Sequence, residues 1–287
     1  MNIDTWKKTL KKLWETKRSS MCAVAVVIVI ALGCAGYAIH YYHGLHENEG
    51  QFDALRQMAE DGTEVEVEAE TETETEEDTG VTAERLYDFD ELRETSNSDI
   101  YAWITVPGTD VDYPILQCET DNYYLDHNLD HSSGYPGCIY TNQVNAKDFS
   151  DLLTVLYGHD MRSTGTMFNS LHSFEDASFF SLNQDIIVYT ENERLTYTIC
   201  AASRFSDVYI PSYYEVTVPE ARGAFMEHLL AMADGDSISH TRRISEEYDG
   251  EPLIILSTCI KNEDESRYLI VGVLTETAPY LETAGVK

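Results

Sequence analysis

Short apolar runs rich in β-branched and aromatic residues recur along the second two-thirds of the 287-residue chain. Each run has the length of a strand and is bounded by Gly, Pro, Asn or Asp residues that favour turns. This spacing predicts a mostly-β domain in which about seven or eight strands form a closed barrel or a sandwich. The runs are IYAWITV, DYPILQC, GCIYTN, LLTVLYG, DIIVYT, RLTYTICAASRF, EPLIILST and RYLIVGVL, and VYTENERLTYT has the pattern of a hairpin.

Apolar residues at helical spacing predict helices in the same part of the chain. Leu86, Phe89 and Leu92 recur in this way within AERLYDFDELRETS, before the first strand run. TMFNSLHSF and PEARGAFMEHLLAMA predict two helices inserted between strands, and the second begins with a proline, which suits a first helical turn. The expected fold class is therefore mostly β, with an N-terminal helix and inserted helices.

The start of the chain has a different pattern. Six Lys or Arg residues fall within the first eighteen, and residues 21–39, MCAVAVVIVIALGCAGYAI, contain no charge. These residues extend about 28 Å as a helix, close to the hydrocarbon thickness of a bilayer. A cleaved signal peptide also has a basic leader, but its apolar core is shorter and a small-x-small cleavage site follows it. We predict a cytoplasmic leader over residues 1–20 and a single-pass anchor over residues 21–42, with the rest on the extracellular face of the cell membrane.

A strongly acidic segment follows the predicted anchor. Glu alternates with Val, Ala or Thr from Glu64 to Glu76, and this composition predicts a disordered stalk over residues 43–80. Residues 81–287 then form the one candidate globular domain, which has 35 acidic and 12 basic residues and a net charge of −23. Such a surface argues against nucleic acid as a partner, because phosphate binding requires basic patches.

Metal and cofactor chemistry receives little support from the sequence. The four cysteines of the predicted domain form no CxxC or Cys-His cluster of the kind that binds zinc. His127 and His131 have the i, i+4 spacing of a helical metal pair, but no third ligand is evident. We therefore expect neither a metal nor a cofactor.

Three residues at the ends of predicted strands are candidates for chemistry. Cys259 follows the run EPLIILST, and His159 lies two residues beyond the run LLTVLY, where Gly158 relieves crowding. Arg267 begins the strand after Cys259, so an antiparallel hairpin brings the two side by side. Cysteine is a nucleophile, histidine a base, and arginine can donate hydrogen bonds to a developing oxyanion. Each also has a structural explanation: a buried thiol, a hydrogen-bonded rim histidine and a salt-bridged arginine.

These residues resemble the sortases, membrane-anchored cysteine transpeptidases of Gram-positive bacteria. The resemblance covers about residues 84 to 275 and rests on LSTC at a strand end, an Arg eight residues later and YGHDM about a hundred residues upstream. WITVPGTDVDYPILQ, NYYLDHN, MFNSL and the helix before the last two strands resemble class B in particular. The implied architecture is an eight-stranded sortase barrel. Many class B relatives have an acidic residue directly after the cysteine, where this chain has Ile260.

The resemblance implies a role for each candidate residue. Cys259 would be the nucleophile, His159 the acid and base, and Arg267 the group that stabilises the oxyanion or the substrate. Ser257 and Thr258 would contact the substrate, as would Leu125 in the segment that lines the groove in relatives.

The implied reaction consists of two acyl transfers. The enzyme would cleave an LPxTG-like or NPxTN-like sorting signal after Thr, form a thioester, and pass the acyl group to the amine of a peptidoglycan precursor of the lipid II type. The product would be a surface protein attached to peptidoglycan.

Three alternatives stay open at this point. One is a sortase that polymerises pilins. The second is an L,D-transpeptidase-like enzyme with Cys138 in YPGCIY as its nucleophile, although the His or Ser and the Arg of that motif are missing. The third is a non-catalytic surface module in which Cys259 is an inert core residue.

Overall fold

The computed structural model describes residues 3–61 and 87–280, and its chain divides into two compact units, Met1–Glu47 and Asn48–Lys287. Helix α1 spans Ile3–Asp61. Four further helices are α2 Phe89–Thr95, α3 Ala177–Leu182, α4 Ile210–Tyr213 and α5 Pro219–Ala233, and 3₁₀ helices span Tyr123–Leu125, Asn169–Glu175 and Glu246–Tyr248. The strands are β1 Ile100–Thr105, β2 Asp112–Leu116, β3 Ile139–Tyr140, β4 Leu153–Tyr157, β5 Asp160–Met161, β6 Thr166–Met167, β7 Asp185–Tyr189, β8 Glu193–Ser206, β9 His240–Thr241, β10 Leu253–Ile260 and β11 Glu263–Pro279.

The second unit is built around a closed barrel. Its strand order is β11-β10-β4-β3-β2-β1-β7-β8, and β8 pairs back onto β11 to close the eight-stranded sheet. Strand β9 adds to the outer side of β8, and β5 pairs with β6 in a separate ribbon. All eight predicted strand runs are observed, as is the predicted β7–β8 hairpin. The predicted mostly-β barrel with an N-terminal helix and inserted helices is confirmed.

The helices form where the sequence supplies caps and an apolar face. The side chain of Asp88 accepts hydrogen bonds from the first amides of α2, and Pro219 occupies the first turn of α5. Phe225 and Leu229 of α5 are fully buried against the outer face of β8, β10 and β11. Burial of a side chain of this size contributes about 1.5 to 3 kcal/mol, so α5 is a fixed part of the barrel wall.

The end of α1 packs against the barrel, and the structure differs here from the stalk predicted over residues 43–80. Residues 43–61 are helical, and Phe52 and Leu55, three residues apart, are buried within the second unit. The Arg56 Nε donates to the carbonyl of Asp112 at 2.9 Å, and its guanidinium lies over the ring of Tyr113. The apolar spacing of these residues stabilises a helix in spite of the acidic composition. Residues 62–80 of the predicted stalk lie outside the described residues.

The first unit contains the apolar part of α1. Within Ala23–Met58, a window of 18 residues has a mean hydropathy of 2.2, and none of that window is buried. By length and composition this helix can cross a membrane, and it is the one such helix in the part of the chain that the structure describes. A signal sequence near an N-terminus has the same properties.

A buried asparagine fixes the start of β4, the strand that leads to His159. The Asn145 Nδ2 donates to Asp151 Oδ2 at 2.9 Å and to the carbonyl of Leu153 at 2.7 Å. Its Oδ1 accepts from the Val155 amide at 3.1 Å. One side chain therefore satisfies a carbonyl and an amide on the same edge of the strand, where water has no access.

We expect Asn145→Ala to lower the free energy of unfolding by about 2 to 4 kcal/mol, because it leaves a buried amide and a buried carbonyl without partners. For a domain of this size the melting temperature should fall by about 5 to 10 °C. The measurement is thermal unfolding of the full chain in detergent micelles, followed by tryptophan fluorescence. Asn192→Ala, in the exposed β7–β8 turn, is the matched control and should change the melting temperature little. Equal melting temperatures for both variants would contradict this account.

Candidate active site

Cys259 lies near the end of β10, on the outer face of the barrel wall. Leu253 and Ile255 of the same strand belong to the core cluster that contains the α5 residues. Because side chains alternate along a strand, Ser257 and Cys259 lie on the same face as these two residues. The α5 cluster ends before Cys259, which is only partly buried. The thiol is therefore at the rim of a packed surface and not within the core.

His159 is brought to the same rim by parallel pairing of β4 with β10. Tyr157 pairs with Ser257, and the Gly158 amide continues the ladder by donating to the Ser257 carbonyl at 3.2 Å. His159 and Cys259 each follow this pair by two residues. The ends of adjacent parallel strands lie at one edge of a sheet, about 4.8 Å apart in the hydrogen-bonding direction. The histidine and the cysteine thus occupy neighbouring positions at one end of the barrel.

Glycine is required directly before His159. A Cβ added at Gly158 would lie 2.5 Å from Ile139 Cδ1 and 2.7 Å from Phe168 Cδ2. The backbone therefore passes the barrel wall and the Phe168 ring more closely than any side chain allows. This close approach confirms the crowding expected beside His159 from the sequence.

Arg267 lies opposite Cys259 across the β10–β11 pair, as the hairpin pattern predicted. Side chains directly opposite each other in an antiparallel pair lie on the same face, with Cβ atoms about 4.5 to 5.5 Å apart. The Arg267 Nη1 donates to the carbonyls of Asp264 and Ser266, at 3.0 and 2.8 Å. These bonds hold the guanidinium on the irregular start of β11 and leave the Nε and Nη2 hydrogens for other acceptors.

The imidazole of His159 is oriented by a backbone carbonyl. Its Nε2 lies 2.6 Å from the carbonyl oxygen of Leu125, and the ring of Tyr135 lies 4.9 Å away, centroid to centroid. A carbonyl only accepts hydrogen bonds, so Nε2 carries a proton. In the neutral ring Nδ1 is then the free base. The Leu125 carbonyl thereby selects the tautomer of the histidine.

The three residues predicted to contact substrate are placed differently from one another. Leu125 is exposed next to His159, and Ser257 lies on the same face as Cys259, although it is only 7% exposed. Thr258 alternates onto the opposite face, pairs with Tyr268 and is 2% exposed. The structure brings Leu125 and Ser257 to the rim with the cysteine, and it does not bring the Thr258 side chain there.

Cys138 and Cys200 have environments unlike that of Cys259, whereas Cys118 is partly exposed as Cys259 is. Cys138, the alternative nucleophile, is 2% exposed, and burial raises its pKa well above the ordinary value. Burial also raises the pKa of Cys200 to about 11. Both thiols are therefore protonated near neutral pH, which disfavours nucleophilic attack. Cys118, Cys138, Cys200 and Cys259 are all free thiols.

No metal-binding cluster of three or more His, Cys, Asp or Glu residues is found among the described residues. His127 and His131 follow the 3₁₀ helix Tyr123–Leu125 in turns and do not share a helical face. The His127 Nδ1 contacts Asp126 Oδ1 at 2.8 Å and the Tyr123 carbonyl at 2.9 Å. These side chains are engaged in local hydrogen bonds.

One histidine beside Cys259 was not identified from the sequence, where it had the pattern of an ordinary amphipathic helix. His172 lies in the 3₁₀ helix Asn169–Glu175, and its Nε2 is 2.9 Å from the carbonyl oxygen of Cys259. Its Nδ1 is 2.6 Å from Glu175 Oε1. The His-x-x-Glu spacing is the one sequence signal for this pair, and that spacing is common in helices.

A family model and a known protein both match this sequence. A family model described as the sortase domain matches residues 104–275. Sortase B of Listeria monocytogenes is 30% identical over 195 residues, which cover 64% of this chain and 74% of that protein.

Two solved structures extend the comparison. A Streptococcus pyogenes class B sortase involved in pilus biogenesis is 25% identical, with a TM-score of 0.54 over 65% of this chain and 97% of that chain. The Staphylococcus aureus sortase B–substrate complex has the same fold, with a TM-score of 0.61, 20% identity, and 80% of this chain and 97% of that chain covered. The family match covers more than half of the sequence, and this chain belongs to the sortase family of cysteine transpeptidases, with its relatives in class B.

Proposed function

We propose that this sortase cleaves an LPxTG-like or NPxTN-like sorting signal after Thr and transfers the carboxyl side of that Thr to an amine of a peptidoglycan precursor. Cys259 is the nucleophile, His159 the acid and base, and Arg267 the oxyanion or substrate stabiliser. The observation that carries the proposal is the register of β4, β10 and β11, because it aligns these three positions at one barrel rim. Family membership supports the reaction class.

The first acyl transfer forms a thioester. The thiolate of Cys259 attacks the Thr carbonyl carbon, and the carbonyl electrons move to oxygen, where the free N–H groups of Arg267 donate hydrogen bonds. When the C–N bond breaks, His159 gives a proton to the leaving amine. The carbonyl of Leu125 holds Nε2–H in place, so Nδ1 is the nitrogen that exchanges the proton.

The second transfer resolves the thioester. An amine of the cell-wall precursor attacks the acyl carbon, His159 Nδ1 accepts the proton that the amine loses, and the C–S bond breaks to regenerate the thiolate. The result is an amide that joins the surface protein to the precursor. We assign the acceptor to a lipid II type molecule because it presents such an amine at the membrane surface.

The walls of the rim fit an extended peptide. Rings of Tyr140, Tyr157 and Tyr209 stack in series, with centroids 5.4 and 6.4 Å apart, next to the β4–β10 pair that carries Ser257. Leu125, whose carbonyl contacts the His159 ring, has an exposed side chain. Aromatic and aliphatic surfaces with a few polar groups are typical of peptide-binding grooves. Ser257 and Leu125 are accordingly our substrate contacts, and Thr258 is not.

The apolar helix supports a location at the cell membrane. The basic leader and uncharged segment favour a retained anchor with its N-terminus in the cytoplasm, which places the barrel on the outer face beside its substrates. This location also supplies the membrane-bound acceptor at high local concentration.

A pilus-assembling role is the second candidate, because the Streptococcus pyogenes relative is a class B sortase involved in pilus biogenesis. It uses the same residues and differs in the acceptor, which is then a lysine of another pilin. The L,D-transpeptidase-like alternative has less support, since Cys138 is buried and its pKa is raised. An inert surface module is disfavoured by family membership.

We expect iodoacetamide to label Cys259 at least about tenfold faster than Cys138 or Cys200 at pH 7.5, because the latter thiols are buried and protonated. Labelling of Cys200 should increase about tenfold per pH unit as the pH rises toward 11, since its thiolate fraction grows in that proportion below its pKa. Peptide mapping by mass spectrometry, after labelling of the folded full chain in micelles, measures the labelling rate at each cysteine and its pH dependence. Labelling of Cys138 as fast as Cys259 would contradict the assignment.

We expect Cys259→Ala to reduce cleavage of a fluorogenic library of LPxTG and NPxTN peptides to background, because the substitution removes the thiol that forms the proposed thioester. His159→Ala should have a similar effect, and Arg267→Lys should lower kcat/KM by about a hundredfold, since lysine keeps the charge but loses the forked donors.

The matched control for these variants is Cys138→Ala, which should keep activity within a few-fold of the unsubstituted chain. Loss of activity in Cys138→Ala with retention in Cys259→Ala, both folded, would transfer the nucleophile to Cys138. The two candidate functions, cell-wall attachment and pilus assembly, are distinguished by adding both pilin-type lysine acceptors and cell-wall peptide acceptors. The product that forms shows which acceptor the enzyme uses.

A further inference from the structure

His172 contacts the nucleophile through the main chain. Its Nε2 lies 2.9 Å from the Cys259 carbonyl oxygen, its Nδ1 lies 2.6 Å from Glu175 Oε1, and its ring stacks on Tyr268 with centroids 5.2 Å apart. Three elements therefore meet at one imidazole: the 3₁₀ helix Asn169–Glu175, strand β10 and strand β11. The side chain is half-buried and both ring nitrogens are engaged.

The partners of this imidazole fix its orientation. A backbone carbonyl only accepts hydrogen bonds, so the Nε2–H of His172 donates to the Cys259 carbonyl. The contact of Nδ1 with Glu175 Oε1 holds the ring from its opposite side. The Cys259 carbonyl therefore has a donor whose own position is fixed by a second contact.

This contact lies where the β10–β11 ladder is irregular. The register between β10 and β11 shifts directly after Cys259, so that Ile260 pairs with Glu263 while Cys259 pairs with Arg267. An irregular ladder constrains the backbone less than a regular one. The Nε2–H of His172 provides a fixed donor for the cysteine carbonyl at this point.

The same imidazole also lies next to the residue that follows His159. The His172 Nε2 is 3.7 Å from Asp160 Oδ2, and that carboxylate accepts a hydrogen bond from Asn169 Nδ2 at 2.6 Å and another from Arg162. Asp160 is therefore a buried, fully engaged neighbour of His159. The ring that contacts the main chain of the nucleophile therefore also lies beside the segment that carries the base.

We propose that His172 is a positioning residue of this sortase, which sets the distance between Cys259 and His159 by holding the Cys259 carbonyl against the segment from Asp160 to Glu175. The proposal rests on the proposed function, in that Cys259 and His159 perform the chemistry. Effective acyl transfer requires the reacting groups to be held within a fraction of an ångström, so a loosened nucleophile lowers kcat more than it weakens substrate binding.

Two substitutions distinguish a positioning role of His172 from a role in packing alone. His172→Phe keeps a ring that can stack on Tyr268 and removes the Nε2–H donor and the Nδ1 contact with Glu175. His172→Gln keeps an amide N–H that can reach the Cys259 carbonyl. We expect His172→Phe to lower kcat for the sorting peptide by about 10- to 30-fold with KM changed less than about twofold, and His172→Gln to recover kcat to within about threefold of the unsubstituted chain.

The matched control is His228→Phe. His228 lies on α5, and its Nδ1 contacts the Tyr214 hydroxyl at 2.7 Å, so this substitution removes a histidine hydrogen bond away from Cys259. We expect it to leave kcat unchanged. All variants are assayed as the full chain in detergent micelles, with the melting temperature measured in the same samples.

Iodoacetamide labelling of Cys259 gives a readout that needs no sorting signal. We expect its rate at Cys259 to fall at least about threefold in His172→Phe and to be recovered in His172→Gln. If the unsubstituted chain cleaves no peptide, the proposed function fails, and the labelling rates still test the positioning role. Unchanged kcat and labelling in His172→Phe, or equal losses in the Phe and Gln variants, would overturn the proposal.

Discussion

The parallel pairing of β4 with β10 is the constraint on which the rest of the site depends. Tyr157 and Ser257 are in register, and His159 and Cys259 follow them by the same number of residues. A slip of one residue would turn every β10 side chain to the other face of the wall, with Thr258 at the rim and the cysteine in the interior. The apolar residues of β10 prevent this slip. Alternate side chains of the strand are buried in the α5 cluster on one face and in the barrel core on the other face.

Elements outside the two strands determine the surroundings of the Cys259 and His159 side chains. The α5 insertion covers the barrel wall up to Cys259 and leaves the thiol partly open. Gly158 allows the chain to pass Phe168 just before His159, and the Leu125 carbonyl fixes the imidazole tautomer. These contacts involve no reacting atoms, yet each limits the positions of Cys259 and His159, the proposed nucleophile and base.

Much of the fold was predictable, because each strand run is apolar, short and bounded by turn residues. The pairing of Cys259 with Arg267 followed from a single hairpin and is observed. The β4–β10 pairing joins segments about a hundred residues apart, and no local pattern encodes such a contact. The sequence pattern indicates His159 as a strand-end candidate, the resemblance to sortases implies its pairing with Cys259, and the observed register aligns the two positions at one edge of the sheet.

The differences between the sequence predictions and the structure have identifiable causes. Residues 43–61 were assigned to the stalk from charge, whereas the spacing of Phe52 and Leu55 favours the observed helix. Alternation along β10 separates Thr258 from Cys259, a consequence of strand geometry that the resemblance did not take into account. His172 was missed because a His-x-x-Glu pair is common on helices, and only the tertiary fold brings its ring to the Cys259 carbonyl.

The most direct test of the central claim is to locate the acyl group on the enzyme. The full chain is incubated in micelles with a sorting-signal library and without an amine acceptor, then quenched in acid, digested and sequenced by mass spectrometry. The account predicts a hydroxylamine-sensitive acyl group ending in Thr on Cys259, and on no other cysteine. Peptide cleavage with the acyl group on Cys118, Cys138 or Cys200, or cleavage that persists in Cys259→Ala, would contradict it.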